Sequence, residues 1–293
     1  MLDISVEKTL DYLDDKKYKR LVRLLKETWG KIHNKYDDRY ARDMWKEQVA
    51  LNLPIMYLAS IILHAFVKKN NIKNILFATR DCSHWYKIYS AMYPKDLTHY
   101  FHCSRNMFNI ARTKNRPEYE KYVDKLTDND TYHTVYVDIH GTGRRMYEYF
   151  ESRGQSIPAC FILSSGHTNE EKLTSGIVKM MKKGRCKFII FKAGGGPIEM
   201  LNYDLIGTCN DYGKHGAVRA ELEYSKKYVK YYHDCAQEFV EALYEYSNYD
   251  NENYDIRQVE KAIKHLYKPA LTDLPIISKK IKHERTHEST MIK

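Results

Sequence analysis

The stretch Thr134-Val135-Tyr136-Val137-Asp138-Ile139-His140-Gly141-Thr142-Gly143-Arg144-Arg145-Met146-Tyr147-Glu148-Tyr149-Phe150 decides how this chain is read. Residues 134–137 are β-branched or aromatic and make a short buried strand, and Asp138 closes it. A turn with two glycines follows, and a helix begins at Arg144. In an open parallel sheet such a strand end is where ligands bind. A helix N-terminus presents unpaired amides and a partial positive charge, which suits an anion. Gly141 and Gly143 permit positive φ and a close backbone approach to a ligand. Arg144 and Arg145 stand where a first turn favours acids, and they repel each other unless an anion lies nearby. The stretch therefore predicts a phosphate site built from Gly141, Thr142, Gly143, Arg144 and Arg145, with Asp138 facing ligand hydroxyls or a metal. The plainer alternative is an ordinary strand-to-helix turn whose arginines face solvent.

Upstream, Ile75-Leu76-Phe77-Ala78 is a continuous apolar run, as expected of a parallel strand covered on both faces. Thr79-Arg80-Asp81-Cys82-Ser83 and a helix over 84–92 follow it, then a strand over 100–103 and a long polar region over 104–130. Downstream, the helix over 144–152 ends at Gly154, and strands over 159–163 and 187–191 flank a polar, partly helical stretch. This alternation predicts an α/β fold with a doubly wound, mainly parallel, Rossmann-like sheet in a phosphate-binding core domain over 50–213. Residues 1–50 read as a helical N-terminal cap, with apolar residues three and four apart over 6–13 and 21–29. Pro54 fits the first turn of the next helix. After Gly194-Gly195-Gly196-Pro197 the alternation stops. Residues 214–277 read as a helical C-terminal region, with one long helix over 218–246 and another over 256–266, and 278–293 as a charged, disordered tail.

Composition bounds the function classes. With 293 residues and 43% hydrophobic residues the chain can bury a substantial core. No apolar run reads as a membrane span, because the most apolar helix, over 53–67, is interrupted by His64 and followed by Lys68-Lys69; it reads as a core helix. No signal-peptide pattern opens the sequence. The six cysteines show no CxxC spacing, five of them lie in or beside apolar runs as reduced core cysteines do, and the expected location is cytoplasmic. The net charge of +10 is spread along the chain, mixed with acids. Nucleic acid is a possible partner that no motif indicates, whereas a basic surface suits any polyanion, down to one pyrophosphate.

Three strand-end loops should converge on one crevice: Thr79-Arg80-Asp81, Ser104-Arg105-Asn106, and 138–145. Asp138, Arg80, Asp81 and Arg105 are the catalytic candidates, and Thr79 joins the phosphate-binding set. The alternative for Arg80 and Asp81 is a local ion pair with Asp81 capping the following helix. Glu199 is the second carboxylate, with Asp138, for a Mg²⁺ ion. Gly194 to Gly196 are either a phosphate cradle or a linker. The histidines at 99, 102, 133 and 167 lack metal-ligand spacing, and Cys103 reads as a core residue.

These residues carry three resemblances. A proline-initiated helix, a strand with loop and helix, a long polar segment, and a strand ending in Val137-Asp138 before Thr142-Gly143 resemble type I phosphoribosyltransferases. That resemblance implies that residues 141–144 hold a ribose 5-phosphate and that residues 79–83 hold pyrophosphate. It also implies that Asp138 contacts ribose hydroxyls and that residues 104–130 form a mobile loop. The family's second acid is Ile139 here, and the turn is one residue shorter. Asp138-Ile139-His140-Gly141-Thr142 resembles the Asp-x-Asp-Gly-Thr motif of haloacid-dehalogenase phosphatases, with His140 replacing the second Asp. That implies a nucleophilic Asp138 beside Mg²⁺, with His140 as an acid or base. Over roughly 54–213 the chain resembles uncharacterised polysaccharide-cluster proteins labelled haloacid-dehalogenase-like hydrolases. The shared features are Phe77-Ala78-Thr79-Arg80-Asp81-Cys82 (with Cys for the group's Gly), Ser104-Arg105, 137–143, and Ile198-Glu199 before Gly207.

The leading expectation is an enzyme acting on a phosphorylated sugar or nucleotide, with glycosyl-type transfer and Mg²⁺ and pyrophosphate chemistry. The alternatives are a phosphatase with Asp138 as nucleophile, and a non-catalytic nucleotide-binding or interaction protein.

Overall fold

The computed structural model describes residues 16–33, 35, 38–166, 173–191, 197–222, 225–245 and 254–272. Strands β1 (Asn74–Ala78), β2 (Leu97–Phe101), β3 (Thr134–His140), β4 (Ala159–Ser165) and β5 (Cys186–Phe191) form one sheet in the order β2-β1-β3-β4-β5. Every neighbouring pair is parallel. The strand ending near Asp138 is thus central, paired with β1 on one side and β4 on the other. This is the flavodoxin-like order, whose direction of winding reverses between β1 and β3. Both β1 and β4 are buried along their whole length, which is why Ile75 to Ala78 and Ala159 to Leu163 are continuously apolar.

The α/β, doubly wound expectation holds at this level. Helices α1 (Lys16–Ile32), α2 (Arg39–Glu47), α3 (Leu53–Lys69) and α4 (Ser83–Met92) lead into the first half of the sheet. Next come α5 (Arg105–Thr113), α6 (Pro117–Thr127), α7 (Arg144–Ser152), α8 (Ser175–Lys182) and α9 (Pro197–Leu201). A separate antiparallel hairpin, β6 (Cys209–Gly213) and β7 (Gly216–Arg219), precedes α10 (Lys226–Tyr244) and α11 (Ile256–Thr272). Helix α3 packs on α4 and α11, and α10 packs on α1, α2 and α4. Helix α7 packs on α5 and α8. The two groups of helices clothe a sheet whose core includes Phe77, Phe101, Phe161 and Trp85, all with no exposed surface.

A single π turn over Gln48–Asn52 joins α2 to α3, so Arg39–Lys69 is one helical run of 31 residues. By length and composition it could cross a membrane, yet 78% of its apolar window is buried inside the fold. Here the window packs against protein, as the sequence reading expected.

Three elements differ from the sequence reading. The polar region over 104–130 is two helices: Met107, Phe108 and Ala111, then Tyr119, Val123 and Thr127, are buried at helical spacing beneath a polar outer face. Ser104 caps the first, its Oγ accepting from the Met107 amide at 2.9 Å. The second strand runs over Leu97–Phe101, three residues earlier than expected at its start. Val218 lies in β7, and the long helix begins only at Lys226, because Gly213 to Gly216 turn the chain into a hairpin first. Residues 6–13, Gly194 to Gly196 and 278–293 lie outside the described residues.

Candidate functional site

At the carboxyl end of the sheet a cleft of about 540 Å³ opens over β1 and β3, beside the point where the winding reverses. Thr79, Arg80, Asp81, Arg105, Asp138, Glu199 and the turn from Gly141 to Arg145 all line it. Residues far apart in sequence meet here because β1 and β3 are neighbours and α9 crosses above them.

The end of β1 is fixed to the segment after β2. Thr79 Oγ1 donates to the Cys103 carbonyl at 2.9 Å and accepts from the Cys103 amide at 3.2 Å, so its hydroxyl serves the backbone. Arg80 Nε donates to Asp81 Oδ1 at 3.0 Å, Nη2 reaches Tyr203 Oη at 3.3 Å, and the guanidinium lies 4.2 Å from the centre of the Tyr203 ring. The Arg80 carbonyl accepts from the Asp204 amide at 3.2 Å. Asp204 Oδ2 in turn accepts from Tyr100 Oη at 2.9 Å and from Arg219 Nη1 at 2.6 Å. The local ion pair of Arg80 with Asp81 is therefore present, but Asp81 does not cap α4. Cys82 occupies the cap position at φ −103°, with no side-chain cap bond. A glycine is not required there.

Three carboxyls gather at the cleft floor. Asp138, two residues before the end of β3, accepts at Oδ2 from Tyr136 Oη at 3.1 Å. Burial, and then the Asp81 charge, push its pKa up to about 7. Glu199, from α9, is raised to about 9 by burial and by the neighbouring Asp81 and Asp138 carboxyls; Arg80 opposes the shift. Neighbouring carboxylates cannot all ionise cheaply, so Glu199 keeps its proton at neutral pH. Among the described residues no group of three or more His, Cys, Asp or Glu side chains is arranged to hold a metal ion.

The glycine turn is specific to this geometry. Gly143 is the N-cap of α7 at φ +69°, and a Cβ there would stand 2.9 Å from Cys160 Sγ. Gly141 needs no positive φ, but a Cβ on it would lie 3.2 Å from Asp138 Oδ2. Its glycine keeps the carboxyl approachable. The Gly141 amide donates to the Ser164 carbonyl at 3.1 Å, and Thr142 Oγ1 accepts from the Arg144 amide at 3.4 Å. His140 Nδ1 lies 3.0 Å from Ser164 Oγ.

The arginines divide into two groups. Arg144 Nε donates to Glu148 Oε1 at 2.6 Å, Arg145 Nη1 to Oε2 at 2.8 Å, and Arg112 Nη1 to Oε2 at 2.6 Å. Burial disfavours the Glu148 charge, but the two first-turn arginines outweigh it and hold the carboxyl below its usual range. The anion that the arginine pair demands is thus already present one helical turn on. Arg105, by contrast, makes no hydrogen bond or ion pair among the described residues. Sequence reading did not single out Glu148, Tyr136, Tyr203 or Asp204. Only Glu148 left a signal, its spacing of three and four from Arg145 and Arg144.

Neither a protein-family model nor any curated protein matches the chain.

Proposed function

We propose that this chain is an enzyme acting on a phosphorylated sugar or nucleotide, in which Asp138 attacks the phosphoryl group. The observation that supports it is the gathering of Asp138, Asp81 and Glu199 on the cleft floor, beside Arg80 and the unpaired Arg105. A phosphate ester is a dianion, and the arginines offer it charge-assisted bonds. Asp138 has Gly141 beside it and so keeps an open face. Attack by Asp138 Oδ forms a phosphorus–oxygen bond and breaks the ester bond. The leaving oxygen takes up a proton, and water then cleaves the aspartyl phosphate.

Mg²⁺ is bound by one or two carboxylates with waters and ligand phosphates, not by a closed protein cage. Asp138 and Glu199 are the residues that would hold it in this reading, and it would neutralise phosphoryl charge. Six buried free thiols suit a reducing compartment, and we assign the protein to the cytoplasm.

The test is a trap. With Mg²⁺ and beryllofluoride the wild-type protein should gain thermal stability and Asp138→Asn should not. Borohydride added during turnover should convert Asp138 to homoserine, read by peptide mass. A second reading, glycosyl-type transfer of the phosphoribosyltransferase kind, draws on two separate arginine groups flanking the acids, as a ligand with two anionic centres requires. It predicts pyrophosphate release and no adduct on Asp138. Tight ligand binding with neither product would leave a binding protein.

A further inference from the structure

Beyond the anionic group, the cleft has a wall that reads the rest of the ligand. The cleft volume of about 540 Å³ is in the range of sites for whole small molecules, far more than one phosphate fills. Helix α5 forms one side, and Asn106 and Asn109 face the cleft from it, three residues apart and so on one face. Neither side-chain amide has a hydrogen-bond partner among the described residues. An amide offers two donors and an acceptor in one plane, which suits hydroxyls that both donate and accept. What the described residues of the wall lack is equally informative. Nucleobases are commonly held by stacking on exposed rings. The rings of Tyr136 and Phe108 reach the cleft only 6% and 3% exposed, and His140 is tethered to Ser164.

From these observations we infer that the ligand is a sugar phosphate and not a nucleotide, with Asn106 and Asn109 as the residues that read its hydroxyls. The inference rests on the phosphate-ligand reading of the cleft but not on the chemistry assigned to Asp138.

Calorimetric titration of the full chain with glucose 1-phosphate, glucose 6-phosphate, adenosine monophosphate and inorganic phosphate tests it. At least one hexose phosphate should bind tenfold or more tighter than inorganic phosphate, and the nucleotide no tighter than inorganic phosphate. Asn106→Ala or Asn109→Ala should remove that tenfold gain and leave the inorganic phosphate affinity within twofold. A nucleotide that outbinds both hexose phosphates, or hexose phosphate affinity unchanged in both variants, overturns the inference. The reaction is read separately by the Asp138 adduct. A sugar-phosphate preference without an adduct therefore sinks only the phosphoryl-transfer reading, and an adduct formed from a nucleotide alone sinks only this one.

Discussion

Asp81, just beyond β1, and Glu199, on α9, line the same cleft floor, where burial and the Asp81 charge hold the Glu199 carboxyl well above its usual range, at about 9. Buried acids this close to another carboxylate keep their protons to higher pH, so Glu199 and Asp138 make the floor of the site a proton store whose filling depends on pH.

Stability should report that store. Glu199 goes from 4.5 to about 9 and Asp138 from 3.8 to about 7 on folding, so the folded chain keeps protons that the unfolded chain releases. Raised carboxyl pKa values mean that stability is lost as pH climbs from about 4 to about 9. In metal-free buffer, Glu199→Gln should gain on the wild type as pH rises, by about 2–4 °C in Tm for each kcal/mol. A Tm difference constant between pH 5 and 9 rules out a proton held on Glu199.

Arg105→Ala should weaken binding of a phosphate ligand about tenfold or more, since one charge-assisted bond is worth about 1.5–3 kcal/mol. Stability should stay within about 0.5 kcal/mol, because the side chain is exposed and has no partner among the described residues. Equal binding by variant and wild type in calorimetry removes Arg105 from the site.

Glu148 competes with any external anion for Arg144 and Arg145. Glu148→Gln should therefore raise phosphate affinity severalfold, while Arg144→Ala with Arg145→Ala lowers it. If neither change moves the affinity, the arginine pair belongs to helix α7 and not to the ligand, and the turn is an ordinary strand-to-helix connection.

The two glycines of the turn should fail differently. Gly143→Ala forces a side chain to φ +69° and against Cys160, and it should cost about 1 kcal/mol or more in a denaturant titration. Gly141→Ala should keep most of the stability and lose ligand affinity, because its methyl crowds Asp138. Matching stability losses in both would show that Gly141 has no role at the carboxyl.

The core strands were legible because burial on both faces leaves nothing but apolar residues in Ile75 to Ala78 and in Ala159 to Leu163. Asp138 was legible because it stands where such a run ends. Helices α5 and α6 were not, since their buried stripes of Met107, Phe108, Tyr119 and Val123 are thin beside their charged faces. The hairpin at Val218 was hidden by apolar spacing that continues into α10. The second acid of the phosphoribosyltransferase pattern would stand beside Asp138, at Ile139, but that side chain points to the opposite face of β3 and is fully buried. The acids that approach Asp138 come from Asp81 and Glu199, through strand pairing and a helix crossing that no local pattern records.

The same arrangement has a consequence for how the protein comes into being. Asp81 is supplied early in the chain, Asp138 midway, and Glu199 late, and Arg80 is anchored through Asp204 to Arg219 on the hairpin. During synthesis a ribosome-bound chain can assemble the sheet around β3 well before Arg219 emerges. Until then the cleft lacks one acid and the anchor of one cation, and the nascent chain carries an unfinished floor. Competence to bind should therefore wait for the hairpin, which comes after all five strands of the sheet.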